Sequence, residues 1–229
     1  MFYYLGVEEI EPNHWVTHTF ELPGCFSRGA TQEEAIKNAP EQVAARLEWL
    51  ARRGRPFSSE DGEIKIKVGE VFESWESTND YRVNAFFEHD KGPLTADDVD
   101  LAGWLLGQSR QELLGICEPI PVEKLNQPDE KAARGSIAKT LAHIATAEWW
   151  YFDSLDLAFE RRTEDIPLDP FENLKTVRGH VMEQLPKLVG DTQVVDRSGE
   201  LWSARKILRR TLWHEGDHIA QIISLIQAQ

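Results

Sequence analysis

Leu212-Trp213-His214-Glu215-Gly216-Asp217-His218-Ile219 is the stretch on which the reading of this chain turns. Residues four apart on an α-helix lie about 40° apart around its axis, so His214 and His218 project from one face. Thr211, Gln221 and Leu225 extend that face. One helix can in this way offer two imidazoles to a single metal ion. A third histidine, His143, sits in the apolar stretch Leu141-Ala142-His143-Ile144-Ala145, where an imidazole needs a partner. Three histidines from two helices would leave at least one coordination position open, as catalytic sites do and structural sites do not.

The same letters fit the His-Glu-x-x-His motif of zinc proteases, whose third ligand lies beyond the motif. Here only eleven residues follow His218, and none is His, Asp or Glu. Gly216 also sits inside the motif, at a cost of about 1 kcal/mol to the helix. The protease reading therefore fails, and Glu215 is expected to be solvated or to support a ligand from behind. Glu148 is expected to be an outer partner of the site or half of an exposed ion pair.

Outward from the motif, the second half of the sequence reads as helix. Thr95-Ala96-Asp97-Asp98 is a capping pattern for a helix to about residue 117, stopped by Pro119 and Pro121. A second helix is predicted over 136–157. Asp169-Pro170 opens a third with proline at its first position, and Ser203 caps a fourth that runs to the chain end. Four long helices joined by long connections predict a bundle.

The first ninety residues follow a different period. Residues 2–7, 15–22 and 64–68 read as strands, the last from the alternation Ile64-Lys65-Ile66-Lys67-Val68. A short strand over 25–28 follows the break at Pro23-Gly24, and Thr31-Gln32-Glu33-Glu34 caps a helix that must accommodate Pro40. Periodicity is poor over 74–94, and Asp90-Lys91-Gly92-Pro93 marks a boundary. The prediction is an α+β N-terminal domain over 1–88 and an all-α four-helix bundle over 94–229.

Composition narrows the function. Among 229 residues, 25 Lys+Arg face 39 Asp+Glu for a net charge of −14. Both parts of the chain share that excess, which argues against nucleic acid as a partner. The 8 Trp, 4 Tyr and 10 Phe are enough for a core and exclude a disordered chain. Cys25 and Cys117 are too few for a disulfide framework, and Cys25 is expected to be a packed residue because no basic neighbour in sequence would lower its pKa. The start of the sequence does not read as a signal peptide and no apolar run spans a bilayer, so a cytoplasmic protein without membrane contact is expected. Trp149, Trp150, Trp202 and Trp213 are expected in the core, with one available to wall a substrate pocket. His14, His18, His89 and His180 are expected to be solvated or locally hydrogen-bonded.

The stretch Leu208-Arg209-Arg210-Thr211-Leu212-Trp213-His214-Glu215-x-x-His218-x-x-Gln221-Ile222, with Leu141-Ala142-His143-Ile144-Ala145-x-Ala147-Glu148-Trp149-Trp150, resembles the DinB-like superfamily. That superfamily embraces mycothiol-dependent maleylpyruvate isomerases and bacillithiol S-transferases. The resemblance implies a four-helix bundle of up-down-down-up order with His143, His214 and His218 as metal ligands, and commonly a homodimer. The N-terminal stretch Phe20-Glu21-Leu22-Pro23-Gly24-Cys25-Phe26-Ser27-Arg28-Gly29-Ala30-Thr31-x-Glu33-Glu34-Ala35 is similar to the HicB-like antitoxin domain, although no DNA-binding segment follows it.

Two functions remain open at this stage. One is a metal-dependent enzyme, with Zn²⁺ or Ni²⁺ on the three histidines, that transfers a low-molecular-weight thiol to a small electrophilic substrate, or less readily hydrolyses one. Arg209 or Arg210 would hold the anionic thiol cofactor or a carboxylate. The other is a non-catalytic binding module in which the HicB-like domain contacts a protein partner and the bundle is a scaffold.

Overall fold

The structure is a computed structural model and describes residues 1–57, 63–77, 82–132 and 134–227. By contacts the chain divides into two compact units: Met1–Lys91 with Asp196–Leu201, and Gly92–Val195 with Trp202–Gln229.

The N-terminal unit holds a four-stranded sheet and one long helix. Strands β1 (Phe2–Glu11), β2 (His14–Thr19) and β3 (Phe26–Gly29) precede α1 (Gln32–Arg52), and β4 (Lys65–Glu73) follows it. The sheet order is β3-β2-β1-β4, with β1 parallel to β4 and the other pairs antiparallel. A parallel partner needs a crossover connection, and α1 provides it. Thr31 caps α1 by accepting from the Glu34 N–H. The helix runs unbroken through Pro40 and buries Ala35, Ala39, Val43 and Leu50. Leu5 and Val7 of β1 meet Ala39, with Trp15, Ile36 and Ile66 packed around them.

Three sequence expectations shift here. The second strand ends at Thr19 rather than residue 22, because residues through Gly24 form turns and Gly24 takes φ +74°. The fourth strand reaches Glu73, carried past the alternating segment by its pairing with β1 across a register shift at Leu5/Gly6. The aperiodic region contains a two-stranded ladder of β5 (Trp75–Glu76) and β6 (Arg82–Val83), then a 3-10 turn over Glu88–Lys91. Beneath it, buried Glu8 accepts from the Ala85 N–H at 2.9 Å and meets His18 Nε2 at 2.8 Å, so neither buried polar group is stranded.

The C-terminal unit is helical. Its long helices are α2 (Ala96–Cys117), α4 (Ile137–Asp153), α5 (Pro170–Gln184) and α6 (Ala204–Gln227), with a short α3 (Val122–Asn126) between the first two. Thr95 and Asp98 close a reciprocal capping box on α2. Ser136, Asp169 and Ser203 accept from the opening N–H groups of α4, α5 and α6. Helix α4 packs against α5 and α6, and α2 packs against α6. It ends at Asp153, short of residue 157, where the chain turns through Asp156 at φ +57°. The sequence reading missed α3, and also the hairpin of β7 (Val195–Arg197) and β8 (Glu200–Trp202) before α6, most of which is counted with the N-terminal unit. Its turn places Ser198 at φ +55° and Gly199 at φ +88°, the pair of positive φ values that a type I′ turn demands. No helix among the described residues is long and apolar enough to cross a membrane.

Two glycines test the packing in opposite directions. A Cβ on Gly29 would stand 2.3 Å from the Ala35 backbone nitrogen, whereas one on Gly107 of α2 would meet nothing within 4 Å. In denaturant titrations, Gly29→Ala should destabilise the protein by about 1–3 kcal/mol. Gly107→Ala should stabilise it by about 0.5–1 kcal/mol by removing backbone freedom from the unfolded chain.

Candidate metal centre

Helix α6 is buried around most of its circumference between Ala204 and Ile219, so different faces of one helix do different work. Neighbouring residues on a helix diverge by about 100°, and His214 and Glu215 accordingly face different partners. His214 and His218 turn toward His143 on α4. His143 Nε2 lies 3.0 Å from His214 Nε2, which lies 3.2 Å from His218 Nε2. All three ligand nitrogens fall within 4.8 Å of one another. Nitrogens bound tetrahedrally at 2.0–2.1 Å from one ion stand about 3.3 Å apart, so the arrangement fits a single divalent cation. The rings meet edge-on, at 67° to 87° between planes.

The protonation of the cluster suits a ligand set. Burial lowers the His143 pKa to about 4, with Arg134 and His218 adding to the effect. Burial likewise holds His214 well below the ordinary histidine range, helped by His218, His143, Arg210 and Arg134. Both are neutral at pH 7 and carry a lone pair. The tautomer of His218 is fixed from behind: Gln221 Nε2 donates to Asp217 Oδ2 at 2.7 Å, which turns the Gln221 carbonyl toward His218 Nδ1 at 2.9 Å. Nδ1 therefore bears the proton and Nε2 is free to ligate. At His143, Arg134 Nη2 donates to Nε2 at 3.0 Å, marking that nitrogen as an acceptor too.

Glu215 is neither solvated nor behind the histidines. It is buried, and its Oε2 accepts from Arg110 Nε at 2.8 Å and from Arg178 Nη2 at 3.0 Å. Glu148 of α4, five residues past His143, joins the same cluster rather than an exposed ion pair. It accepts from Arg110 Nη2 at 2.7 Å and from Arg178 Nε. Each guanidinium also reaches a backbone carbonyl on the opposite helix, Arg110 to Leu174 on α5 and Arg178 to Leu106 on α2. Two arginines and two glutamates thus close a buried network across α2, α4, α5 and α6. Burial alone would raise the Glu215 pKa, but Arg178 and Arg110 outweigh it and hold the carboxyl below the usual range. Sequence spacing singled out neither arginine.

The other expected site residues separate. Arg210 is buried with its guanidinium 4.4 Å from the Trp213 ring centroid and 5.8 Å from that of Tyr151. Tyr151 in turn meets His214 edge-on at 5.9 Å. Arg209 is half-buried. Trp202 and Trp213 are core residues, and Trp149 Nε1 donates to the Phe159 carbonyl. His89 stacks on Phe20, and His180 Nε2 bonds the Leu157 carbonyl. Cys25 and Cys117 are buried free thiols; burial raises the first and pushes the second up to about 12. A groove of about 490 Å³, lined by residues of α2 and α5 including Arg110, Arg178 and Met182, involves none of the three histidines.

Glu215→Gln should cost about 3–5 kcal/mol in denaturant titrations, because it strips one partner from buried arginines. The histidines set a separate pH dependence. Between its unfolded value near 6.5 and its folded value of about 4, His143 takes up a proton in the unfolded chain and not in the folded one. Stability of the metal-free protein should therefore fall as pH drops through that window. Thermal melts from pH 7 to pH 4 check this, and His143→Gln should flatten the decline.

A stretch of 63 residues is 30% identical to the UPF0150 protein Ta0767 of Thermoplasma acidophilum, covering 28% of this chain and 91% of that protein. A profile described as DinB superfamily matches residues 105–222, a span that holds all three histidines and the four residues of the buried ion network. With more than half of its length matched, the chain belongs to the DinB superfamily.

Proposed function

We propose that this chain is a metal-dependent enzyme that transfers a low-molecular-weight thiol to a small electrophilic substrate. The observation that carries the reading is the convergence of three imidazole nitrogens, two of them on rings held neutral by burial, at the separations one divalent ion requires. In this reading His143, His214 and His218 hold Zn²⁺ or Ni²⁺, imidazole ligation suiting either. Bound there with a coordination position open, the ion would acidify a thiol so that the thiolate forms at neutral pH.

The side chains divide the remaining tasks. Asp217 and Gln221 keep the His218 lone pair directed inward. Tyr151, Trp202 and Trp213 exclude water from the inner side of the cluster. Arg210, and Arg209 one position before it, supply positive charge for an anionic thiol or a carboxylate. The reading takes α2, α4, α5 and α6 as a four-helix bundle of up-down-down-up order within a domain over 94–229. It takes residues 1–88 as a HicB-like domain. A homodimer belongs to the same reading, two-fold dimers being the commonest soluble oligomers. Its face would draw on Leu101, Leu105, Ile116, Ile219, Ile223 and Ile226, of which Leu105 and Ile219 are buried within one chain, Leu101, Ile116 and Ile223 are half-buried, and Ile226 is exposed.

Elemental analysis of untagged protein should find about one metal per chain, lost when His214 and His218 are both changed to alanine. Metal-loaded protein should catalyse S-transfer from at least one of a panel of small thiols, and the triple alanine variant should not. Equal turnover by both proteins, or metal retained without the two histidines, would overturn the assignment. Absence of turnover with co-purification of a protein partner would favour a binding module instead.

A further inference from the structure

Glu148 and Glu215 are matched by Arg110 and Arg178 on the other faces of their helices. Asp217 receives the Gln221 amide. Arg134 reaches the histidine cluster directly, its Nη2 standing 3.0 Å from His143 Nε2, and buried Arg210 lies nearby with its guanidinium over the Trp213 and Tyr151 rings. A divalent ion there would add two positive charges beside a guanidinium in a partly buried place, and an anion in the open position would offset them.

Arg134 is the better placed of the two to meet that anion. Its Nη2 donates to His143 Nε2 at 3.0 Å, the very lone pair that a metal would take. With that acceptor lost, the guanidinium keeps its N–H groups beside the ion and needs a new acceptor. The residue is exposed, so a small molecule arriving from solvent can reach it. Its position is also built. The Asp129 N–H donates to the Gly135 carbonyl and the Gly135 N–H to the Ala132 carbonyl, with Gly135 at φ +83°. Ser136 then caps α4 immediately afterwards. The turn therefore delivers Arg134 to the histidines from the same helix start that orients His143.

We propose that Arg134 is the residue that recognises the incoming ligand of this site, and that this ligand is an anion, a thiolate or a carboxylate, shared between the metal and the guanidinium. The proposal rests on the metal reading above and specifies what that site accepts. It adds Arg134 as the direct contact to the positive charge that Arg209 and Arg210 supply in that reading. Buried Arg210 sets the background charge, and Arg134 makes the contact.

Cobalt(II) loaded into the full chain gives visible absorption bands that report both metal binding and a change of ligand. Wild type, Arg134→Ala and Arg134→Lys are titrated with 2-mercaptoethanol, which offers only a thiolate, and with acetate, which offers only a carboxylate. Loss of a charge-assisted hydrogen bond should weaken binding of the preferred anion about tenfold or more in Arg134→Ala, with part restored in Arg134→Lys. Cobalt affinity should stay unchanged or rise, because a competitor for the His143 lone pair is gone. Thermal stability should be unaffected, as expected for an exposed side chain. A larger loss for mercaptoethanol identifies a thiolate site, and a larger loss for acetate a carboxylate site. Equal anion affinities in wild type and Arg134→Ala, or weaker cobalt binding in the variant, would overturn the proposal. Absence of cobalt bands in wild type would overturn the metal reading itself, and this proposal with it.

Discussion

The buried network of Arg110, Glu148, Arg178 and Glu215 constrains everything else in the helical unit. Ion pairs of this kind add little net stability relative to an apolar core, because desolvating four charges offsets much of their attraction. What they impose is register. A guanidinium that must meet two carboxylates and one backbone carbonyl at 2.7–2.8 Å admits no slip of one helix past another. Any such slip would leave a charge buried alone. Since Glu148 follows His143 by five residues and Glu215 follows His214 by one, fixing the glutamates fixes the histidines. The placement of the three imidazoles within 4.8 Å is thus set from the far side of α4 and α6.

That coupling explains what the sequence disclosed and what it did not. The helix starts were legible because capping is local: Thr95 with Asp98, Ser136, Asp169 with Pro170, and Ser203 each announce a helix within four residues. The histidine pair was legible for the same reason, its i, i+4 spacing being a property of one helix. His143 stood out because an imidazole amid Leu, Ala and Ile is costly to leave without a partner. Glu148 and Glu215 were misread as solvated or supporting carboxylates because their partners lie 30 to 105 residues away. No local pattern separates a buried, paired glutamate from an exposed one. The β7–β8 hairpin went unseen because three-residue strands are too short to show alternation, leaving Ser198-Gly199 as the only signal.

Burial does different chemistry on the two sides of α6. Around Glu215 it concentrates a field from two arginines strong enough to keep a carboxylate ionised despite desolvation. Around His214 it meets only like charge and so drives the ring to its neutral form. One physical effect, the removal of water, yields an ionised structural cluster and a neutral histidine cluster a few residues apart. The difference lies in the sign of the partners.

The same geometry bears on which nucleophile such a centre would serve. In a His-Glu-x-x-His protease the motif glutamate takes the proton from metal-bound water. Here Glu215 is occupied by Arg110 and Arg178, and Asp217 by Gln221, so the two carboxylates nearest the histidine pair in sequence are committed elsewhere. Water starts at a pKa of about 15.7, and a bound divalent cation would have to lower it by many units, to about 7 in the most effective zinc sites, before hydroxide forms at neutral pH. A thiol starts near 8.5, about seven orders of magnitude closer in acidity, and a divalent cation flanked by arginines can supply that difference by electrostatics alone. The engagement of Glu215 in the core is therefore more than a structural detail. It removes Glu215 as a base for any nucleophile bound at the histidines, so that a bound ion's own charge would have to acidify that nucleophile.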